Sequence, residues 1–352
     1  MKPVIELRTS PHIHSPRSVE SIMRNVVYAL LPVCGYAVWL FGASALALIA
    51  TTTASCMLTE YFFCKISGRE SSLGDWSVVI TGLLLGLILP PGFPLWMAAV
   101  GAFIAVGPGK MLFGGLGFNV FNPALVARAF LQAAFPVAIM GYTPALALHR
   151  FTEVVPTTFA LPLIKAQPLT DWIARSRVDA FSGATPLMLE KFDHVHTELL
   201  PLILGPRAGS SGETPALLIL VCGAYLITRR MMDWRIPVAM LASAFATSGA
   251  FYLADPSRYP HPLFMLFSGG MMLGAMFMAT DPVSSPVTSL GVWIYGTLIG
   301  LITILIRLKG GLAEGVMYAI LLANAVSPLI DNVTQPRTYG QRRGARKKEA
   351  TT

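Results

Sequence analysis

Residues 77–94 read SVVITGLLLGLILPPGFP, an uncharged apolar run that ends in a Pro-Pro-Gly-Phe-Pro break. Such a run is built to be buried. It predicts a membrane segment, one that runs as a helix across the ~30 Å hydrocarbon layer into a Pro/Gly break. Comparable runs recur along the whole chain. We read about ten, at 22–41, 43–66, 77–89, 95–113, 124–140, 215–228, 236–253, 262–280, 287–306 and 312–330. Composition agrees: 54% of the 352 residues are hydrophobic and 12% charged, against about 25% charged in a soluble domain. Segments of this length satisfy their backbone groups in lipid only as helices, so the fold class is an all-α polytopic membrane protein.

A second break echoes the first. The eighth run leads into TDPVSSP, residues 280–286, and the ninth ends in IRLKGG, residues 306–311, much as the fourth ends in GPGKMLFGG, residues 107–115. Five runs separate the two units, and an odd number reverses direction across the bilayer. The pattern predicts two inverted five-helix repeats with broken helices between them, unless the Pro and Gly residues only punctuate loops. The expected organisation is an N-terminal segment 1–21, a first membrane half 22–140, a long loop 141–213, a second membrane half 214–330 and a basic tail 331–352. The first run lacks a small-residue cleavage site and is expected to stay as an anchor.

Lys and Arg set the orientation. Lys2, Arg8, Arg17, Lys65, Arg69, Lys110, Arg229, Arg230, Arg235 and the tail from Arg337 to Lys348 fall on one side of the alternating path, which places both termini in the cytoplasm. The net charge of +8 is then mostly this bias, and it gives no reason to expect nucleic-acid binding. Arg307 and Lys309 fall on the opposite side as exceptions. The 141–213 loop lies outside on the same reading, and a loop this long is usually functional. Cys34, Cys56, Cys64 and Cys222 all fall within apolar runs without a C-x-x-C pair, so neither a structural disulfide nor a metal site is expected.

Polar residues at membrane depth are Glu60, Asn119, Asn122, Arg128, Asp281 and Glu314. Each is costly unless it pairs or faces a wet cavity. Asn122 and Asp281 each precede a Pro that breaks its helix, which makes them candidates for an ion pathway; the plainer reading is helix capping.

Within the loop, Asp179 to Thr185 reads DAFSGAT. Small residues leave the Thr185 hydroxyl unobstructed and Pro186 holds it in an extended or turn geometry, a presentation suited to modification by another enzyme; on chemistry alone an ordinary turn is the readier reading. This stretch resembles the D-x-x-[S/T]-G-A-T signature at which a flavin transferase attaches FMN through its phosphate to a threonine. SPHIHSPRSVESIM before the first run, FNPALVARAF at 121–130 and GSSGETP at 209–215 resemble stretches of the same family. The chain is thus similar, nearly end to end, to the membrane flavoprotein family that includes the Rnf (Rsx) D subunits and the B subunits of sodium-pumping NADH:quinone oxidoreductases. A short segment before the first run and Pro215 after Gly-Glu-Thr favour the Rnf branch.

The resemblance implies a covalent FMN on Thr185, with Asp179, Ser182, Gly183 and Ala184 as the flavinylation motif, and it leaves room for a second, noncovalent flavin. It implies a flavoprotein part of an ion-translocating oxidoreductase that couples ferredoxin- and NAD-linked electron transfer to Na⁺ or H⁺ movement. The expected partners are the A, B, C, E and G subunits of such a complex, a flavin transferase during maturation, and the lipid of a bacterial inner membrane, with the flavin loop periplasmic. The competing class is a solute transporter or channel without flavin, since broken-helix repeats serve both.

Overall fold

The computed structural model describes residues 18–69, 72–147, 149–162, 185–193 and 198–336. Asp179, Ser182, Gly183 and Ala184 lie outside the described residues, as do residues 1–17 and the tail from 337.

Eleven main helices organise what is described. The first half holds α1 (Val19–Phe41), α2 (Ala43–Ile66), α3 (Ser77–Ile88), α4 (Leu95–Val106) and α5 (Pro123–Ala134). The second holds α6 (Ala216–Thr228), α7 (Arg235–Ala254), α8 (Pro262–Phe267), α9 (Met271–Leu273, continued by a π-helical turn Gly274–Met278), α10 (Ser289–Lys309) and α11 (Val316–Thr334). No strand occurs among the described residues. Six helices of 19 to 24 residues are long and apolar enough to cross a membrane: α1, α2, α4 with its continuation to Phe113, α7, α10 and α11. The protein is an all-helical, polytopic membrane protein.

Local chemistry starts these helices. Ser18 accepts from the Ser21 N–H at 3.1 Å to cap α1, Asn122 caps α5 ahead of Pro123, and the Thr288 hydroxyl caps α10 by accepting from the Gly291 N–H at 3.1 Å. The Asp331 carboxylate accepts from the N–H of Val287 and Thr288 at the same end of α10. Asp281 therefore does not cap α10. It holds its own turn, accepting from the Val283 N–H at 3.2 Å and the Ser284 hydroxyl at 3.1 Å.

Two expected runs break and one starts later. The run at 124–140 stops at Ala134, because Pro136 cannot continue the helix, and restarts as the single turn Pro136–Ile139. The run at 262–280 is split after Phe267 by Ser268-Gly269-Gly270, with Gly269 at φ +62°. The last run begins at Val316 rather than 312 and continues to Thr334.

The two halves pack alike. In the first, α2 packs on α3 and α4, and α4 on α5; in the second, α7 packs on α8 and α10, and α10 on α11. The α7–α10 contact is close because a Cβ on Gly296 would sit 2.8 Å from the Ile236 carbonyl and one on Gly300 would overlap that of Met240. Away from these seams, Leu58 and Phe62 on α2, Leu301 on α10 and Leu329 on α11 are exposed, an apolar surface suited to lipid.

The described parts of 141–213 gather at one end of the bundle. Leu146 N–H donates to the Leu40 carbonyl, Val155 N–H to the Ser44 hydroxyl, Leu95 N–H to the Thr158 carbonyl and Ser211 N–H to the Leu89 carbonyl. This loop end joins the α1–α2, α3–α4 and α10–α11 turns. The opposite end carries the 66–77, 107–122, 229–234 and 279–288 connections.

Candidate functional site

Thr185 stands at the loop end as the cap of a single turn, Pro186–Met188. Its backbone is extended (φ −71°, ψ 151°) ahead of Pro186, and its hydroxyl accepts from the Met188 N–H at 3.3 Å. The residue is only 2% exposed, however. The open presentation expected from SGAT-Pro is therefore corrected: capping turns the hydroxyl inward, into a cleft shared with Leu202, Arg207, Gly209 and Glu213.

Two contacts hold this turn in place. Leu187 lies over Gly269, where a Cβ would come within 2.5 Å of its Cδ1. Lys191, in the π-helical turn Leu189–Asp193, donates from Nζ to the carbonyls of Arg307, Gly310 and Leu312 at 2.8, 2.6 and 2.8 Å. These carbonyls lie at or just beyond the C-terminus of α10, where no intrahelical donor serves them.

Beneath the cleft, two broken helices end and two guanidiniums meet them. The α3 carbonyls of Leu87, Ile88 and Leu89 have no intrahelical donor because the Pro-Pro pair ends the helix. Gly212 N–H donates to Leu87 at 2.7 Å, Arg128 Nη1 donates to Ile88, and both the N–H and the hydroxyl of Ser211 donate to Leu89 at 3.1 Å. At the end of α8, Arg307 donates from Nη1 to Met265 at 2.5 Å and from Nη2 to Ser268 at 3.0 Å. The charge partner of Arg128 is Glu314, at 2.7 Å from Nη2 to Oε2. Glu213, whose carboxylate accepts from Ser210, reaches the same place: a Cβ on Gly269 would lie 3.2 Å from Glu314 Oε1 and one on the adjacent Gly270 would lie 3.6 Å from Glu213 Oε1.

At the opposite end a second constellation forms. Lys110, 2% exposed, donates to Glu60 Oε2 and to the Ser77 hydroxyl, each at 2.7 Å, and Ser72 donates to the other oxygen of Glu60. Lys110 also lines a cavity of about 90 Å³ with Asn119, Asn122, Met276 and Asp281. The two helix-break residues singled out by sequence thus share one cavity between the halves. Asn122 bridges them, donating from Nδ2 to the Met278 carbonyl at 3.3 Å while its Oδ1 accepts from the Ala124 N–H.

A phosphoester on Thr185 needs a hydroxyl, a nearby cation and room for the ring it carries. Thr185 and Arg207 both line the cleft, which suits the phosphate end of FMN. At about 20 Å³ the cleft does not take an isoalloxazine, so the ring of an attached FMN would lie outside it.

A family model described as the NQR2, RnfD, RnfE family matches residues 6–340. The chain belongs to that family. Curated relatives match it at full length. The chain is 38% identical over 354 residues to the D subunit of the proton-translocating ferredoxin:NAD(+) oxidoreductase complex of Clostridium ljungdahlii, covering 97% of this chain and 98% of the relative. It is 40% identical over 336 residues to the D subunit of the Na(+)-translocating ferredoxin:NAD(+) oxidoreductase complex of Acetobacterium woodii, covering 96% and 95%. The D subunit of the ion-translocating oxidoreductase complex of Alcanivorax borkumensis is 38% identical over 345 residues, covering 95% and 96%. Sequence reading singled out Thr185, Asn122 and Asp281 but not the meeting of Arg128, Glu213, Arg307 and Glu314; the hint was that Glu213, Arg307 and Glu314 sit beside a Pro/Gly break or at a helix end, while Arg128 lies in the middle of α5.

Proposed function

We propose that this chain is a membrane component of an ion-translocating oxidoreductase complex that couples ferredoxin- and NAD-linked electron transfer to Na⁺ or H⁺ movement, with FMN joined by a phosphoester to Thr185. The observation that carries this reading is the full-length likeness to components of such complexes together with the DAFSGAT stretch ending at Thr185. Bound there, FMN would supply one- and two-electron transfer. The chain's own residues do the rest. The Thr185 hydroxyl is the nucleophile toward phosphorus: its O–P bond would form as the phosphoanhydride bond of a flavin dinucleotide donor breaks, the nucleoside monophosphate leaves, and a base on the transferase takes the hydroxyl proton. Asp179 and Ser182 to Ala184 present the segment for recognition, and Arg207 offsets the phosphodiester charge. Because Thr185 is buried, attachment requires the 185–193 turn to open first.

In this reading the chain has ten membrane segments in two inverted five-helix repeats, supported by the matching packing of α2–α5 and α7–α11. It sits in a bacterial inner membrane with both termini cytoplasmic and the Thr185 end periplasmic, supported by Lys65, Arg69, Lys110, Arg229, Arg230 and Arg235 at the opposite end. Its partners are the A, B, C, E and G subunits and a flavin transferase. The cavity beside Asn122 and Asp281 serves ion coupling, and its position between the halves also suits a second, noncovalent flavin if neighbouring side chains move. Thr185→Ala, coexpressed with the transferase, should insert normally but lose covalent yellow fluorescence on a denaturing gel; persistent fluorescence would sink the assignment. Orientation is read by Ser176→Cys, which an impermeant thiol reagent should label in intact cells, and by Gly344→Cys, which it should not.

A further inference from the structure

Glu213 and Glu314 stand out because the structure brings two carboxyl groups into one largely buried cluster, against the adjacent residues Gly270 and Gly269. Glu213 is 8% exposed. One of its oxygens accepts from Ser210, and among the described residues no other serine, threonine or lysine donates to the pair. On the Glu314 side, Oε2 takes Arg128, while Oε1 is buried with no side-chain donor. Two ionised carboxylates cannot hydrogen-bond each other, since both only accept. A proton on one of them supplies the missing donor.

The surroundings call for one negative charge rather than two. Arg128 and Arg307 face the pair from α5 and α10, and a Cβ on Gly269 would lie 3.1 Å from Arg307 Nη2 and 3.2 Å from Glu314 Oε1. Yet both guanidiniums already donate to carbonyls at the ends of α3 and α8, where the helix dipoles favour positive charge. Tyr142, itself buried, is a further polar neighbour of the cluster. Glu314, paired directly with Arg128, is the carboxylate; Glu213 has no cation within salt-bridge distance among the described residues.

We propose that Glu213 and Glu314 form a proton-binding pair between the two membrane halves, sharing a single proton that exchanges with water through the Thr185 cleft. Loading is Glu213 carboxylate plus H⁺ giving Glu213 carboxyl donated to the Glu314 carboxylate, with no electron moved. The cleft supplies the route, because Glu213 lines it alongside Thr185 and Arg207. Burial pushes the Glu213 carboxyl well above the usual carboxylate range, and the Glu314 charge adds to the rise. Burial acts the same way on Glu314, but Arg128 and its other partners outweigh it and hold that group low.

The test is infrared spectroscopy on the assembled complex in a Thr185→Ala background, which removes the bands of any flavin linked there and makes the outcome independent of whether Thr185 carries FMN. The complex should show a protonated-carboxyl stretch at neutral pH that shifts in D₂O. Glu213→Gln should remove it, and Glu314→Gln should remove it too, because Glu213 then ionises beside the two arginines. A spectrum unchanged by Glu213→Gln overturns the proposal. A band lost in Glu213→Gln but kept in Glu314→Gln overturns the sharing. Gln at 213 mimics the protonated form and should assemble; if it does not, Glu314→Gln decides alone. Stability gives a second readout. The folded Glu213 group binds its proton more tightly than the unfolded one, so its contribution is full below the ordinary Glu range and is lost as pH rises through the raised value. Thermal stability should therefore fall with pH across that window, and Glu213→Gln should flatten the fall.

Discussion

Lys191→Met tests what keeps Thr185 covered. Met retains most of the stem but removes three N–H donors to the Arg307, Gly310 and Leu312 carbonyls. Hydrogen bonds from a charged donor are worth about 1.5–3 kcal/mol each when nothing replaces them. Lys191 is partly exposed, so water replaces most of that, and a net loss near the value of one such bond is expected. Adding about 0.5 kcal/mol for a cation at a helix C-terminus gives ~2–3.5 kcal/mol. At about 1.4 kcal/mol per tenfold, opening of the turn should rise about 30- to 300-fold. The assay is amide hydrogen exchange by mass spectrometry on the assembled complex. The Met188 and Leu189 N–H groups, bonded to the Thr185 carbonyl at 2.9 and 3.0 Å, should lose that much protection, while peptides from α3 stay unchanged. Attachment of FMN should also speed up if opening limits it. Protection at 188 and 189 within about threefold of the parent protein, a shift of less than ~0.7 kcal/mol, would refute the latch.

Three further outcomes rest on the same contacts. Lys110→Met strands the fully buried Glu60 charge and should cost about 3–5 kcal/mol in detergent unfolding, while Glu60→Gln in the same chain should recover most of it; a double variant no better than the single one contradicts the pairing. Gly269→Ala meets both a φ of +62° and the Leu187 Cδ1, so it should lose about 1–3 kcal/mol of stability and lower covalent labelling at Thr185, with Leu187→Ala relieving only the contact part. Asp281→Asn keeps an acceptor for the Val283 N–H but removes the charge in the cavity, so ions moved per electron should fall while FMN stays attached; an unchanged ratio leaves Asp281 as a turn residue alone.

The sequence by itself determined the class, because hydropathy is local: an apolar run long enough to cross lipid is visible without knowing its neighbours. The break at Pro90 was legible for the same reason, since proline acts on its own helix, whereas the one at Pro136 lay inside a run read as continuous. DAFSGAT was legible as a motif because its chemistry lies in contiguous residues. Only the tertiary structure decided what surrounds Thr185. Its burial depends on a cap within its own turn and on Lys191 reaching carbonyls more than a hundred residues away. The Arg128–Glu314 pair spans 186 positions, and no periodicity links them. Buried charges at helix breaks are paired by where the broken ends meet in space, which is set by the packing of the two halves. The sequence therefore shows that such charges need partners, and the fold chooses them.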